Sequence, residues 1–195
     1  MIAFLNGDFV KKTPSYVFVA VGGVGYEVQI SLNTYSRIQD MDKGVLQTHF
    51  IVREDAHILF GFFDLAEKEM FLQLIAISGI GPNTGRVMLS YMRPDELSRA
   101  IVQGNVKALE SIKGIGRKTA ERIVVELRDK LAKQPIESDL NISSPKSNTL
   151  QSDALNALIA LGINRQAADQ AIQKVLAQEP GAGVELLIKK ALQIL

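Results

Sequence analysis

The heptapeptide Lys113-Gly114-Ile115-Gly116-Arg117-Lys118-Thr119 has a counterpart upstream in Ser78-Gly79-Ile80-Gly81-Pro82-Asn83-Thr84. The leading glycines stand 35 residues apart, and Leu74–Leu89 laid on Leu109–Val124 matches leucine, isoleucine, glycine, isoleucine, glycine and threonine in register. A match at fixed offset marks a duplicated supersecondary unit. Before each glycine pair stands an apolar-periodic segment (Phe71, Leu74, Ile75; Val106, Leu109, Ile112), and another follows it (Val87, Leu89, Met92; Ile123, Val124, Leu127, Leu131). Both flanks have helical period. The unit is therefore helix, tight Gly-Ile-Gly turn, helix, written twice.

Such a turn has a ready chemical use. Glycine accepts positive φ and lets another backbone approach, while the intervening isoleucine can plug into a core. The helix that follows begins with free N–H groups and a partial positive charge, which together suit an anion. Arg117, Lys118 and Arg122 add full charges at that end of the second copy. An anion held by main-chain donors is a phosphate taken without regard to base sequence.

Outward from the repeats the chain changes character on both sides. Over 1–63, Ile2–Val10, Tyr16–Val21, Val24–Ile30, Val45–Arg53 and Ala56–Phe60 are rich in β-branched and aromatic residues and end at turn residues. Gly22-Gly23 joins the second and third as a hairpin. Five short antiparallel strands suit a small barrel of the OB type. Residues 64–134 are expected to be all helical. Asp64-Leu65-Ala66-Glu67 has capping-box spacing and opens a helix through Ile77, Arg93-Pro94-Asp95-Glu96 opens one that stops at Gly104, and Asn105 caps another over Val106–Ile112. A last helix runs from Arg117 to Ala132.

Residues 135–150, with Pro135, Asn141, Ser143, Ser144 and Pro145, are too polar to pack and are expected to be a flexible linker. Beyond it, 151–195 holds three short helices, Ser152–Leu161, Asn164–Ala177 and Val184–Leu195, parted by Gly162 and Glu179-Pro180-Gly181. That is a three-helix bundle of UBA-like size.

The totals exclude several function classes. Cysteine is absent from the 195 residues, so disulfides and thiolate chemistry are excluded, and an intracellular protein is expected. The opening Met1–Gly7 lacks the pattern of a signal peptide, and no apolar run approaches the roughly 18 residues a membrane span needs. A cytoplasmic location follows as an expectation. The net charge of +1 is uneven: 1–63 carries −1, 64–134 carries +3 and 135–195 carries −1. The excess falls on the segment with the repeated turns, as a phosphate-binding surface requires.

The two histidines, His49 and His57, lie in expected strands without zinc-type spacing, so no metal, cofactor or catalytic residue is assigned. Gly116-Arg117-Lys118-Thr119 misses a phosphate-binding P-loop by an inserted arginine, so no ATP site is expected in this chain. The glycine spacing also echoes a dinucleotide fingerprint, but that needs a strand before the glycines, where the period here is helical.

Gly114-Ile115-Gly116-Arg117-Lys118-Thr119-Ala120-Glu121-Arg122 resembles the helix-hairpin-helix motif of DNA-repair proteins. The tandem pair between a barrel and a small bundle resembles, over the whole chain, the RuvA family of Holliday-junction-binding subunits. The resemblance implies a non-enzymatic, sequence-independent DNA-binding subunit of recombination and repair, working as a tetramer or as two tetramers face to face. Its implied partners are four-way junction DNA, the hexameric RuvB ATPase, docked by 151–195, and the RuvC resolvase. The implied phosphate-binding residues are Gly79, Gly81, Asn83, Gly114, Gly116, Arg117, Lys118 and Thr119, with Arg86, Arg122 and Arg53 as secondary candidates. Val52-Arg53-Glu54-Asp55-Ala56 matches the family's acidic pin, whose Glu54 and Asp55 would face the crossover. Two positions depart from the family pattern: Ala3 replaces a usual glycine, and Asn83 a frequent lysine that Arg86, one turn on, could partly replace. Hairpins of this type also serve repair nucleases, ligases and glycosylases. A subunit of such an enzyme, with the chemistry on a partner, is the alternative, and a generic OB-fold single-strand binder is a third reading.

Overall fold

A computed structural model describes residues 1–132, 147–179 and 181–195. The chain divides into two compact units, Met1–Ser138 and Asp139–Leu195.

The first unit opens with five strands, β1 (Phe4–Lys12), β2 (Tyr16–Val21), β3 (Val24–Ile30), β4 (Lys43–Val52) and β5 (His57–Phe62), closed into a barrel in the order β1-β2-β3-β5-β4. Alternation does what it should: Leu5, Phe9, Val17, Val19, Val28 and Leu46 point inward and are buried, while Tyr16 and Phe18 face out. A register shift between Phe9 and Lys11 marks a β-bulge, which helps the first strand curve round the barrel.

Against the expectation of five antiparallel strands, one pairing in the ring is parallel. β3 and β5 run parallel, pairing Val28 with Leu59 and Ile30 with Gly61. Geometry demands it, because directions cannot alternate all the way round a ring of five. The reversal is made possible by a helix that the strand pattern did not announce, α1 (Leu32–Ile38), capped by the Ser31 hydroxyl, which accepts from Thr34 N. It carries the chain from the end of β3 to the far side before β4.

Helices α2 (Leu65–Ile75), α3 (Pro82–Tyr91), α4 (Pro94–Val102), α5 (Val106–Glu110) and α6 (Arg117–Ala132) follow. Their core is continuous with the barrel wall. Phe60 and Phe62 of β5 meet Phe71 of α2 at ring-centroid distances of 5.1 and 4.8 Å, and all three are buried. The barrel and the helical region thus share one hydrophobic cluster that runs on to Leu127 and Leu131.

The expected capping box on α2 is half formed. Asp64 accepts from Glu67 N at 2.9 Å, but the Glu67 side chain turns inward. There it accepts from the Ser31 hydroxyl, from Thr34 Oγ1 at 2.6 Å and, more weakly, from Phe63 N at 3.4 Å. Burial pushes its carboxyl above the usual range, and those donors only partly offset that. A buried carboxylate that gathers three donors ties α1 to the start of α2.

The second unit holds α7 (Ser147–Ala160), α8 (Arg165–Gln178) and α9 (Val184–Ile194) around Leu158, Ile172, Val175, Leu187 and small alanines. Gly162, at φ 88°, ends α7, and Asn164 caps α8 by accepting from Gln166 N at 2.9 Å. The expected linker over 135–150 is corrected at its end, since Ser147–Leu150 belong to α7; its remainder lies outside the described residues. Ile159, Leu161 and Leu186 of this bundle stand exposed, together with Leu192, Ile194 and Leu195.

Candidate nucleic-acid interface

The two Gly-Ile-Gly turns are the same structure twice. Gly79 and Gly114 both sit at φ 92°, where a side chain would be strained. In the first copy Ile80 N donates to Ile77 O at 3.0 Å and Gly85 N to Gly81 O at 2.9 Å; in the second, Ile115 N donates to Ile112 O at 3.0 Å and Ala120 N to Gly116 O at 2.9 Å. Ile80 and Ile115 are buried at 4% and 5%, so each turn is pinned by its middle residue while the glycines on either side remain exposed. A Cβ built at Gly79, Gly81, Gly114 or Gly116 would meet nothing within 4 Å. The approach to both turns is open.

What faces that opening is backbone. Among the described residues, the amides of Arg117, Lys118 and Thr119 have no hydrogen-bond partner, because the α6 ladder starts only at Ala120 N. In α3 the equivalent set is smaller. Gly81 caps the helix without a side-chain bond and Pro82 has no N–H, which leaves Asn83 and Thr84 as donors. The first turn therefore lacks one amide as well as the lysine that Asn83 replaces, and the missing amide is legible from the sequence alone.

The side chains divide sharply by role. Lys118 is exposed and, among the described residues, makes no ion pair. Arg117 is exposed too, but its Nε donates to Glu121 at 2.9 Å, and that pairing raises its already high pKa. Thr119 is half-buried and Asn83 exposed. Arg122 donates from Nη1 to Ser78 O at 3.0 Å, which ties α6 to the first turn and brings the two turns together. Arg86, expected to replace in part the lysine absent at Asn83, is engaged on the barrel. Its Nη1 donates to Ser15 O at 2.8 Å and Gln29 Oε1 at 3.1 Å on the barrel, so this cation serves the fold.

Arg53, Glu54 and Asp55 occupy the tip between β4 and β5, all exposed, in a turn closed by Arg53 N donating to Ala56 O at 2.8 Å. The two carboxylates project from the barrel with the Arg53 cation beside them. His57 follows in β5, its ring edge against Phe50 at 5.5 Å, which gives it a packing role. His49 likewise packs on Phe71, and burial together with nearby Lys68 holds its pKa below the ordinary value. Among the described residues no group of three or more histidine, aspartate or glutamate side chains could hold a metal ion, and no helix is long and apolar enough to cross a membrane.

Comparison with known proteins agrees with this layout segment by segment. Residues 1–61 match the family described as RuvA N terminal domain, 71–129 the SAM-like helix-hairpin-helix tandem, and 149–195 the RuvA C-terminal domain. Among curated relatives, a protein of Cytophaga hutchinsonii is 44% identical over all of both chains. One of Flavobacterium psychrophilum is 44% identical over 99% of each chain. One of Geobacter sulfurreducens is 43% identical over all of this chain and 99% of its own. Each is named Holliday junction branch migration complex subunit RuvA. With its barrel, its paired turns and its C-terminal bundle all matched in order, the chain belongs to the RuvA family.

Proposed function

We propose that this chain is the junction-binding subunit of a branch-migration complex, holding four-way DNA open without reading its sequence. The observation that carries the reading is the matched pair of open turns, each presenting unpaired amides where a phosphate can approach. Gly79, Gly81, Asn83, Gly114, Gly116, Arg117, Lys118 and Thr119 are its phosphate-binding set, with Lys118 the principal free cation. In a tetramer, eight such turns would grip four arms, and Glu54 and Asp55 from each subunit would repel phosphates at the crossover and guide strands apart. Main-chain donors suit sliding, because they are indifferent to which base passes.

The chain supplies shape in this reading, and ATP hydrolysis belongs to a hexameric RuvB motor. The exposed Leu161, Leu186, Leu192 and Ile194 of the C-terminal bundle support a docking role there. A tether would raise the motor's local concentration without fixing its orientation. Association with the RuvC resolvase and a cytoplasmic setting belong to the same proposal. Competition among single strand, linear duplex and immobile four-way junction tests it, with native mass measured on the bound species. A clear preference for the junction with four or eight copies bound is expected. Equal affinity for duplex and junction would refute it.

A further inference from the structure

Of the three arginines left as secondary phosphate candidates, Arg86 and Arg122 are engaged inside the first unit, and one of them has a geometry of its own. Arg86 lies on α3, the helix that leaves the first Gly-Ile-Gly turn. Its Nη1 bridges two points of the barrel, the Ser15 carbonyl before β2 and the Gln29 side chain on β3. Ser15 O also accepts from Ile30 N at 3.0 Å, so the arginine lands on a carbonyl that already holds two strands in place. One turn further along α3, Ser90 Oγ donates to Arg86 O at 2.8 Å and accepts from Leu32 N, the first residue of α1, at 3.0 Å. Burial disfavours the charge of Arg86, a cost that a side chain left in solvent would avoid. The acidic tip sits at the other end of the same barrel framework, just before β5, which pairs with β3.

We propose that Arg86, assisted by Ser90, is a positioning residue that holds the first turn at a fixed angle to the barrel and its acidic tip. That angle is what lets the protein prefer a four-way crossover to a plain duplex. The inference rests on the phosphate-binding role proposed above for the turns. A lone duplex arm needs only the turns, whereas a crossover needs turns and acidic tip held in one geometry. Arg122, by tying α6 to Ser78 O, passes the same orientation to the second turn.

The test uses the full-length protein and three variants, Arg86→Met, Arg86→Lys and Ser90→Ala. Dissociation constants are measured for an immobile four-way junction and for a linear duplex of the same arm sequence, over a series of salt concentrations. For Arg86→Met the junction-over-duplex preference is expected to fall roughly tenfold, the scale of one hydrogen bond from a charged group. Duplex affinity and its salt slope stay as in the wild type. Ser90→Ala moves the preference the same way by less, and Arg86→Lys recovers part of it. A parallel fall in both affinities, with the slope flattened by about 0.9, would make Arg86 a phosphate contact and overturn the proposal. So would an unchanged preference in folded Arg86→Met. Should that variant fail to fold, an unchanged preference in the other two overturns it equally. A wild-type protein that shows no junction preference removes the underlying reading, and the proposal with it.

Discussion

Replacing Gly81 and Gly116 together by alanine separates the fold from the grip. Gly81 has φ −79° and ψ 165°, and Gly116 is not among the positive-φ residues, so both accept a side chain without strain. Nothing lies within 4 Å of the added Cβ at either site. On the stability side, a Gly→Ala change at a compatible position gains about 0.4–1 kcal/mol by restricting the unfolded chain. Alanine is a poorer helix cap than glycine, by roughly half a kcal/mol or more. The two nearly cancel, so each site should shift urea-unfolding stability by no more than about 0.5 kcal/mol. On the binding side, the proposed contact has each methyl group standing in the path of an incoming phosphate. Losing one amide bond to a charged group costs about 1.5–3 kcal/mol, or roughly ten- to a hundredfold in junction affinity. No cation is removed, so the salt dependence of whatever binding remains should keep most of its slope. Gly114→Ala is the contrast: at φ 92° it should lose about 1–2 kcal/mol of stability as well. Urea melts paired with fluorescence titrations of a labelled junction read both quantities. Wild-type affinity in the double variant would refute backbone recognition at these turns.

Three further outcomes are expected. Lys118→Ala should leave stability unchanged and flatten the log–log salt dependence of duplex binding by about 0.9 per engaged site; an unaltered slope removes Lys118 from the contacts. Glu54→Lys with Asp55→Lys, at an exposed tip, should keep or strengthen junction affinity while altering migration in the presence of the motor. Wild-type migration by that variant would reduce the acidic pair to a solvated turn. For Glu67, a carboxyl whose folded pKa is raised is most stabilising to the fold when protonated, below its unfolded value, and that contribution is lost as pH rises through the folded pKa. Thermal melts should therefore show wild type gaining on Glu67→Gln as pH is lowered from neutrality toward 4.5, and a gap moving the other way contradicts the burial argument.

Local chemistry made much of this legible in advance. Val17 and Val19 alternate with Tyr16 and Phe18, Asn105 caps its helix by accepting from Ala108 N, and the glycines fall at identical φ in both turns because the same steric problem recurs. The 35-residue offset places both turns from the sequence alone. What escaped was non-local or weakly patterned. Helix α1 buries only Thr34 and Ile38 of its seven residues, too few for a helical stripe. The parallel β3–β5 pair follows from counting strands in a ring, which propensity does not consider. Arg86 and Arg122 find their acceptors 71 and 44 residues away, and a long cation on a basic segment gives no sign of whether it points to solvent or to a distant carbonyl. Glu67 has the spacing of a cap, but the hydroxyls of Ser31, which caps α1, and Thr34, within it, outcompete the neighbouring amide.

The proposed reliance on peptide amides at the paired turns has a consequence for durability. An amide hydrogen has no ionisation within any acidity a cell meets, and no exchange of one side chain for another deletes it. Proline alone does so, and the chain has already accepted that loss once, at Pro82. Drift in the surrounding side chains should therefore erode the electrostatic reach of the surface long before it erodes the hold itself. The part of the second turn's advantage that does not depend on a side-chain charge is set by a single ring closure on a backbone nitrogen.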